Sequence, residues 1–216
     1  MNRSREVTIE AGGTATVGDL IVPDAPLGLV LFAHGSGSSR HSPRSRQVAE
    51  SLHRRSFATL LLDLLTEAEE RDRANVFDVE LLAARLVAAT SWARAAAELP
   101  IGYFGASTGA AAALSAAAEL GPRIAAVVSR GGRPDLAGPQ LPAVTAPTLL
   151  IVGGRDEAVL QLNREAQRLL EAPSELAVVP GATHLFEEPG ALEQVSALAG
   201  DWFERYLRSA VDDRAQ

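Results

Sequence analysis

Residues 101–122 read Ile101-Gly102-Tyr103-Phe104-Gly105-Ala106-Ser107-Thr108-Gly109-Ala110-Ala111-Ala112-Ala113-Leu114-Ser115-Ala116-Ala117-Ala118-Glu119-Leu120-Gly121-Pro122. The apolar start predicts a buried strand, the alanine-rich run predicts a helix ending at Gly121-Pro122, and a G-x-S-x-G joins them. A strand that turns directly into a helix crowds the two backbones around the central serine. Only small side chains fit two positions to either side, and Gly105 and Gly109 supply them. Such a turn holds Ser107 in a strained backbone conformation with its Oγ pointing out of the sheet. The five-residue pattern alone is common; with strand before it and helix after it, the pattern is specific. The plainer alternative is a glycine-flanked helix start that Ser107 merely caps.

The same strand–loop–helix unit recurs on both sides. Val7 to Ile9 and Thr16 to Val22 suggest an antiparallel pair joined at Gly12-Gly13. Leu27 to Ala33 and Phe57 to Leu65 are continuous apolar runs, as expected of strands buried on both faces. Between them Ser42-Pro43 opens a helix to about Arg55, with Ser as cap and Pro in the first turn. After an acidic loop, a helix is expected from about Val76 to Leu99. Further strands are expected at Ile101 to Gly105, Ile124 to Ser129, Thr148 to Val152 and Glu175 to Val179, with a last helix from about Gly190 to Arg208. This alternation implies one α/β domain over residues 1–216, with a mostly parallel sheet of about seven to eight strands and helices on both faces. In such sheets ligands bind beyond the carboxyl ends of the strands.

A serine hydroxyl needs a base before it attacks anything at neutral pH. Of four histidines, His41 and His53 belong to the first helix region, and His34 stands where a side chain supports its loop. His184 directly follows the last strand and is the expected base, with His34 the alternative. The imidazole in turn needs an acid to fix its tautomer. Asp156, closing Pro147-Thr148-Leu149-Leu150-Ile151-Val152-Gly153-Gly154-Arg155-Asp156, is the favoured candidate, ahead of Glu157 and Asp135. Asp156 also suits a helix N-cap, and the two roles are compatible. The order Ser107, Asp156, His184 is that of the α/β-hydrolases and not of the two common serine-protease folds. An oxyanion would need donors, expected from the backbone N–H of Thr108 and from His34-Gly35-Ser36-Gly37, with Ser36 favoured over Gly35 and Gly37.

Composition removes other chemistries. With no Cys, disulfides, thiolate metal sites and a Cys nucleophile are excluded. All 20 basic residues are Arg, so a Schiff-base lysine and a P-loop lysine are excluded too. A net charge of −7 argues against a nucleic-acid partner. The basic stretch Arg40 to Arg55 reads as a solvated helix face. No apolar run approaches the length of a membrane span, and no apolar segment follows Met1 to Glu6 as in a signal peptide, so a cytoplasmic protein is expected. No metal or organic cofactor is called for, and a homodimer is left open.

The segment His34 to Arg44, the Ser107 turn, Ile151 to Asp156 and Pro180-Gly181-Ala182-Thr183-His184-Leu185-Phe186-Glu187-Glu188 resemble those of α/β-hydrolases, over essentially the whole chain. Within that superfamily the chain is similar to small, lid-less hydrolases of the dienelactone-hydrolase-like group, and to hydrolase domains attached to phosphoribosyltransferases. Dienelactone hydrolases use a Cys nucleophile, where this chain has Ser107. The resemblance implies a hydrolase, with Ser107 as its nucleophile, and the group's name assigns no substrate. Arg130 to Pro147 spans 18 residues, too few for a helical cap, which favours short-chain, water-soluble esters, with thioesters and lactones as neighbours in chemistry. Arg130 or Arg133 suits a substrate carboxylate, unless each pairs with a loop acid such as Asp135. The rival readings are acyl transfer or perhydrolysis on the same triad, and a silent binding protein on the same fold.

Overall fold

A computed structural model of the chain describes residues 3–212. Strands β1 (Arg3–Ala11) and β2 (Thr14–Val22) form an antiparallel hairpin. Its two-residue turn is Gly12-Gly13, with φ of +60° and +83°, where only glycine turns without strain. Next come β3 (Leu29–Ala33), α1 (Pro43–Arg54) and β4 (Ala58–Leu62). The short helices α2 (Glu67–Glu70) and α3 (Arg73–Phe77) lead into α4 (Val79–Ala96). Then follow β5 (Ile101–Ala106), α5 (Thr108–Leu120), β6 (Ile124–Arg130) and a 3-10 stretch, Pro134–Ala143. The chain continues through β7 (Thr148–Gly153), α6 (Glu157–Leu169), β8 (Ser174–Val179) and α7 (Ala191–Asp212).

The eight strands lie in the order β1-β2-β4-β3-β5-β6-β7-β8. From β4 to β8 every neighbouring pair is parallel, and β2 meets β4 antiparallel. Because strand side chains alternate, the central strands feed two cores. Leu29, Leu31, Tyr103, Val127 and Leu150 pack under α4 and α5. Val30, Phe32, Phe104, Val128 and Ile151 pack under α1 and α7. Helix α5 packs closely on the sheet: Ala110 to Ala113 are fully buried, since methyl groups let its backbone approach. Buried Tyr103 gives its hydroxyl a partner in Thr90 at 2.6 Å, and burial pushes its pKa up.

Three local features differ from the sequence reading. The acidic loop contains α2, held by a capping box in which the Glu69 N–H donates to Thr66 Oγ1 and the Thr66 N–H to Glu69. Helix α4 begins later than expected because Asp78 caps it, accepting from the Leu81 N–H at 3.0 Å. The basic stretch is not simply solvated. Arg40 pairs with Asp63 and Glu6, Arg46 with Asp19, and Arg55 with Asp201 and Glu204. In a chain of net charge −7, neighbouring elements present acids to nearly every arginine there.

Candidate active site

Ser107 stands between β5 and α5 with φ +51° and ψ −121°, a conformation that costs a side-chain-bearing residue free energy. Its backbone is tied on both sides. The Ser107 N–H donates to the Arg130 carbonyl at 3.2 Å, and its own carbonyl accepts from Ala110 and Arg133, each at 3.1 Å. A Cβ on Gly105 would lie 2.5 Å from Ala110 Cα, and one on Gly109 would overlap the carbonyl oxygens of Ala33 and His34. The Ser107 side chain makes no capping bond to α5. The elbow's shape, and not a cap, explains the serine's position.

Asp156 follows β7 and His184 follows β8, on adjacent strands of the sheet. Their loops are laced together: Gly154 N–H donates to the Val179 carbonyl and Arg155 N–H to the Ala182 carbonyl, both at 2.9 Å. Across that seam His184 Nδ1 meets Asp156 Oδ2 at 2.6 Å, a charge-assisted distance. Asp156 occupies the N-cap position of α6 but spends no side-chain oxygen on capping. Ser107 and His184 line one cavity of about 250 Å³, together with Ser36, Ser42, Arg44 and Arg130. No hydrogen bond joins Ser107 and His184; the two residues share the lining of this cavity.

The alternatives are otherwise engaged. His34 Nε2 accepts the Leu64 N–H at 3.2 Å, so Nδ1 carries the proton it gives to the Gly35 carbonyl at 3.0 Å. It holds the end of β3 against the end of β4. His53 reaches Thr59 at 2.7 Å, and His41 lies on the surface beside Arg46. Asp135 is held by Nε and Nη2 of Arg133, at 2.8 and 2.7 Å, and Glu157 sits in the first turn of α6.

Of the expected oxyanion donors, the Thr108 N–H starts α5 and has no intrahelical acceptor by position. The Ser36 N–H is also turned toward the elbow, but donates to Thr108 Oγ1 at 2.9 Å. The bond fixes the glycine-rich loop against the helix start. It also engages the Ser36 N–H within the protein.

No protein-family model matches the chain. A dienelactone hydrolase from Anabaena variabilis, known as a crystal structure, is 52% identical, covering 96% of this chain and 99% of its own, with a TM-score of 0.93. The chain belongs to the dienelactone-hydrolase-like α/β-hydrolases. Est1E from Butyrivibrio proteoclasticus shares the fold at a TM-score of 0.79 and 17% identity, covering 93% of this chain and 98% of that one. A Mycobacterium tuberculosis protein provisionally described as a phosphoribosyl transferase is 62% identical over 208 residues, 95% of this chain but 47% of its own length. The hydrolase thus spans about half the length of the curated relatives it matches. Among its described residues no helix is long and apolar enough to cross a membrane.

The two candidate arginines of this α/β-hydrolase divide sharply. Arg133 pairs with Asp135 and does not line the cavity. Arg130, at the end of β6, lines it and is only 6% exposed. Its guanidinium stands 5.7 Å from the centre of the Phe186 ring. Burial, reinforced by repulsion from Arg44, draws its pKa down to about 10. Arg44 itself was not singled out by sequence. It sits just inside the start of α1, and nothing local distinguishes it from the other arginines of that helix.

Proposed function

We propose that the chain is a serine hydrolase that cleaves small carboxylic esters through an acyl-enzyme intermediate. The observation that carries this reading is the 2.6 Å contact of Asp156 with His184 Nδ1, beside a cavity that Ser107 also lines. An aspartate on Nδ1 keeps the proton there, leaves Nε2 free to accept, and stabilises the imidazolium. Ser107 Oγ bonds to the ester carbonyl carbon as its proton passes to Nε2, and the carbonyl electron pair moves onto oxygen. When that pair returns, the C–O bond to the alcohol breaks and His184 protonates the departing oxygen. Water then repeats the sequence, releasing the acid and restoring Ser107.

The oxyanion is held by the Thr108 N–H and by the Ser36 N–H, which leaves Thr108 Oγ1 for the charged oxygen. A donor of this kind is worth about 2.7–4 kcal/mol of barrier. The segment after β6 is a 3-10 stretch of 10 residues, Pro134–Ala143, and not a helical cap. With a cavity of about 250 Å³, substrates are small. A series of 4-nitrophenyl esters tests this. The expected result is highest kcat/KM from acetate to butyrate, a steep fall with longer chains, and no turnover by Ser107→Ala. Faster cleavage of long acyl chains than of acetate would contradict the substrate class, and full activity in Ser107→Ala would end the proposal.

A further inference from the structure

We infer that Asn163 is a positioning residue for the reaction: its amide joins the helix that Asp156 opens to a backbone segment that touches both Ser107 and His184. The inference rests on the reading of those three side chains as one catalytic unit. It adds a residue that sets their relative placement from outside the cavity, which Asn163 does not line.

Residues Gly131-Gly132-Arg133 carry the chain out of β6 past the nucleophile and the base. The Arg133 N–H donates to the Ser107 carbonyl at 3.1 Å. Gly131, at φ +53°, lies against the imidazole: a Cβ there would stand 3.4 Å from Cε1 and 3.5 Å from Nδ1 of His184. The Gly131 N–H donates to the Ile151 carbonyl of β7 at 2.8 Å. Gly132 packs onto the elbow, where a Cβ would overlap Ser129 Oγ and come within 2.7 Å of Ala110 Cβ. One short stretch of backbone thus borders the serine and the histidine together.

Asn163 holds that stretch from the side of α6. The helix buries Val159, Leu160 and Ala166, and Asn163, with no exposure at all, is the one buried side chain among them that carries polar atoms. Its Nδ2 donates to the Gly132 carbonyl at 3.0 Å and to the Val159 carbonyl, one turn back in α6, at 2.8 Å. Both partners are carbonyl oxygens, so the NH2 end of the amide faces them. Oδ1 is buried and meets no donor among the described residues. For stability alone, a leucine would continue the apolar face and bury no polar atom unpaired. It could not hold the Gly132 carbonyl, which needs a donor. Because the same helix opens at Asp156, and Asp156 meets His184 Nδ1 at 2.6 Å, one amide ties the acid's helix to the loop beside base and nucleophile. A shift of that loop moves His184 against Ser107, and a misplacement of about 1 Å can cost about 10²-fold in rate.

Two substitutions separate the two bonds. In Asn163→Ser the shorter side chain still reaches the Val159 carbonyl, as serines in helices do, but not Gly132. Asn163→Leu removes both bonds and keeps the space filled. On 4-nitrophenyl acetate, well below the Tm of each variant, kcat should fall about tenfold or more in both, with KM changed less than about twofold. The maximal rate of Ser107 labelling by a fluorophosphonate should fall by a similar factor. A residue that serves the fold alone would lower Tm and leave kcat and labelling per folded molecule unchanged, and that result overturns the inference. Full activity in Asn163→Ser, or a raised KM with kcat unchanged, overturns it too. If Asn163→Leu fails to fold, Asn163→Ser, which keeps the bond within α6, decides the matter. Labelling that slows in the variants while the unsubstituted protein cleaves no ester sinks the proposed substrate class alone. Equal turnover and labelling in all three proteins sinks this inference alone, and an unsubstituted protein that neither labels nor turns over sinks both.

Discussion

Ser107, Asp156 and His184 come from three separate strand ends, and each is held by a different physical device. Ser107 is fixed by backbone strain between two glycines, Asp156 by the turn that starts α6, and His184 by a loop whose Phe186 takes φ +56°. If they act as a unit, their removal should be far from additive. Ser107→Ala should lower kcat on the order of 10⁵-fold or more. Asp156→Asn should lower kcat by about 10⁴-fold with KM little changed, because the amide favours the wrong tautomer of His184. Steady-state kinetics on 4-nitrophenyl acetate would check both, and a mere severalfold loss in Asp156→Asn would show that the carboxylate serves the fold only. The placement of all three at strand ends was legible in the sequence, because each follows a run that reads as a strand. Arg44 was not legible: its place beside Ser107 and Arg130 in one cavity is a relation between residues far apart in the chain.

The nucleophile's placement depends on how closely β5, α5 and the end of β3 approach one another. Gly109 is the tightest point, with two carbonyl oxygens where a side chain would go. Gly109→Ala should therefore destabilise the protein by about 1–3 kcal/mol or more, since backbone and not a flexible side chain must yield. Thermal melting would show it, and an unchanged Tm would mean the elbow is looser than described. Apart from α6, the long strands and helices were read to within a few residues because periodicity and glycine–proline punctuation agree. The short helices α2 and α3 were hidden in a charged stretch without hydrophobic period, where a capping box and a single Asp cap decide the structure. Helix α6 (Glu157–Leu169) was not delineated by sequence, although its amphipathic pattern buries Val159, Leu160, Asn163 and Ala166.

Over the whole molecule, charge sets the behaviour outside the cavity. Burial holds the half-buried His53 imidazole below its ordinary value of 6.5, so the unfolded chain takes up a proton more readily than the folded one. The associated stability is complete above that value and is lost as pH falls through the lower folded one. His53→Gln should then lose less Tm than the unsubstituted protein between about pH 7 and about pH 5, and an equal loss would remove His53 as a source of acid sensitivity. The overall class, a mostly parallel sheet covered on both faces, was visible in the apolar strands alone. The pairing of surface arginines with acids on distant elements was not, because sequence shows charges without their neighbours. The central claim, that Asp156 and His184 activate the hydroxyl of Ser107, is most directly tested by intact-mass spectrometry after exposure to a fluorophosphonate. The account predicts a single adduct mapping to the peptide that contains Ser107, absent in Ser107→Ala and formed far more slowly in His184→Ala. Labelling of His184→Ala as fast as the unsubstituted protein, or an adduct that persists in Ser107→Ala, would contradict it.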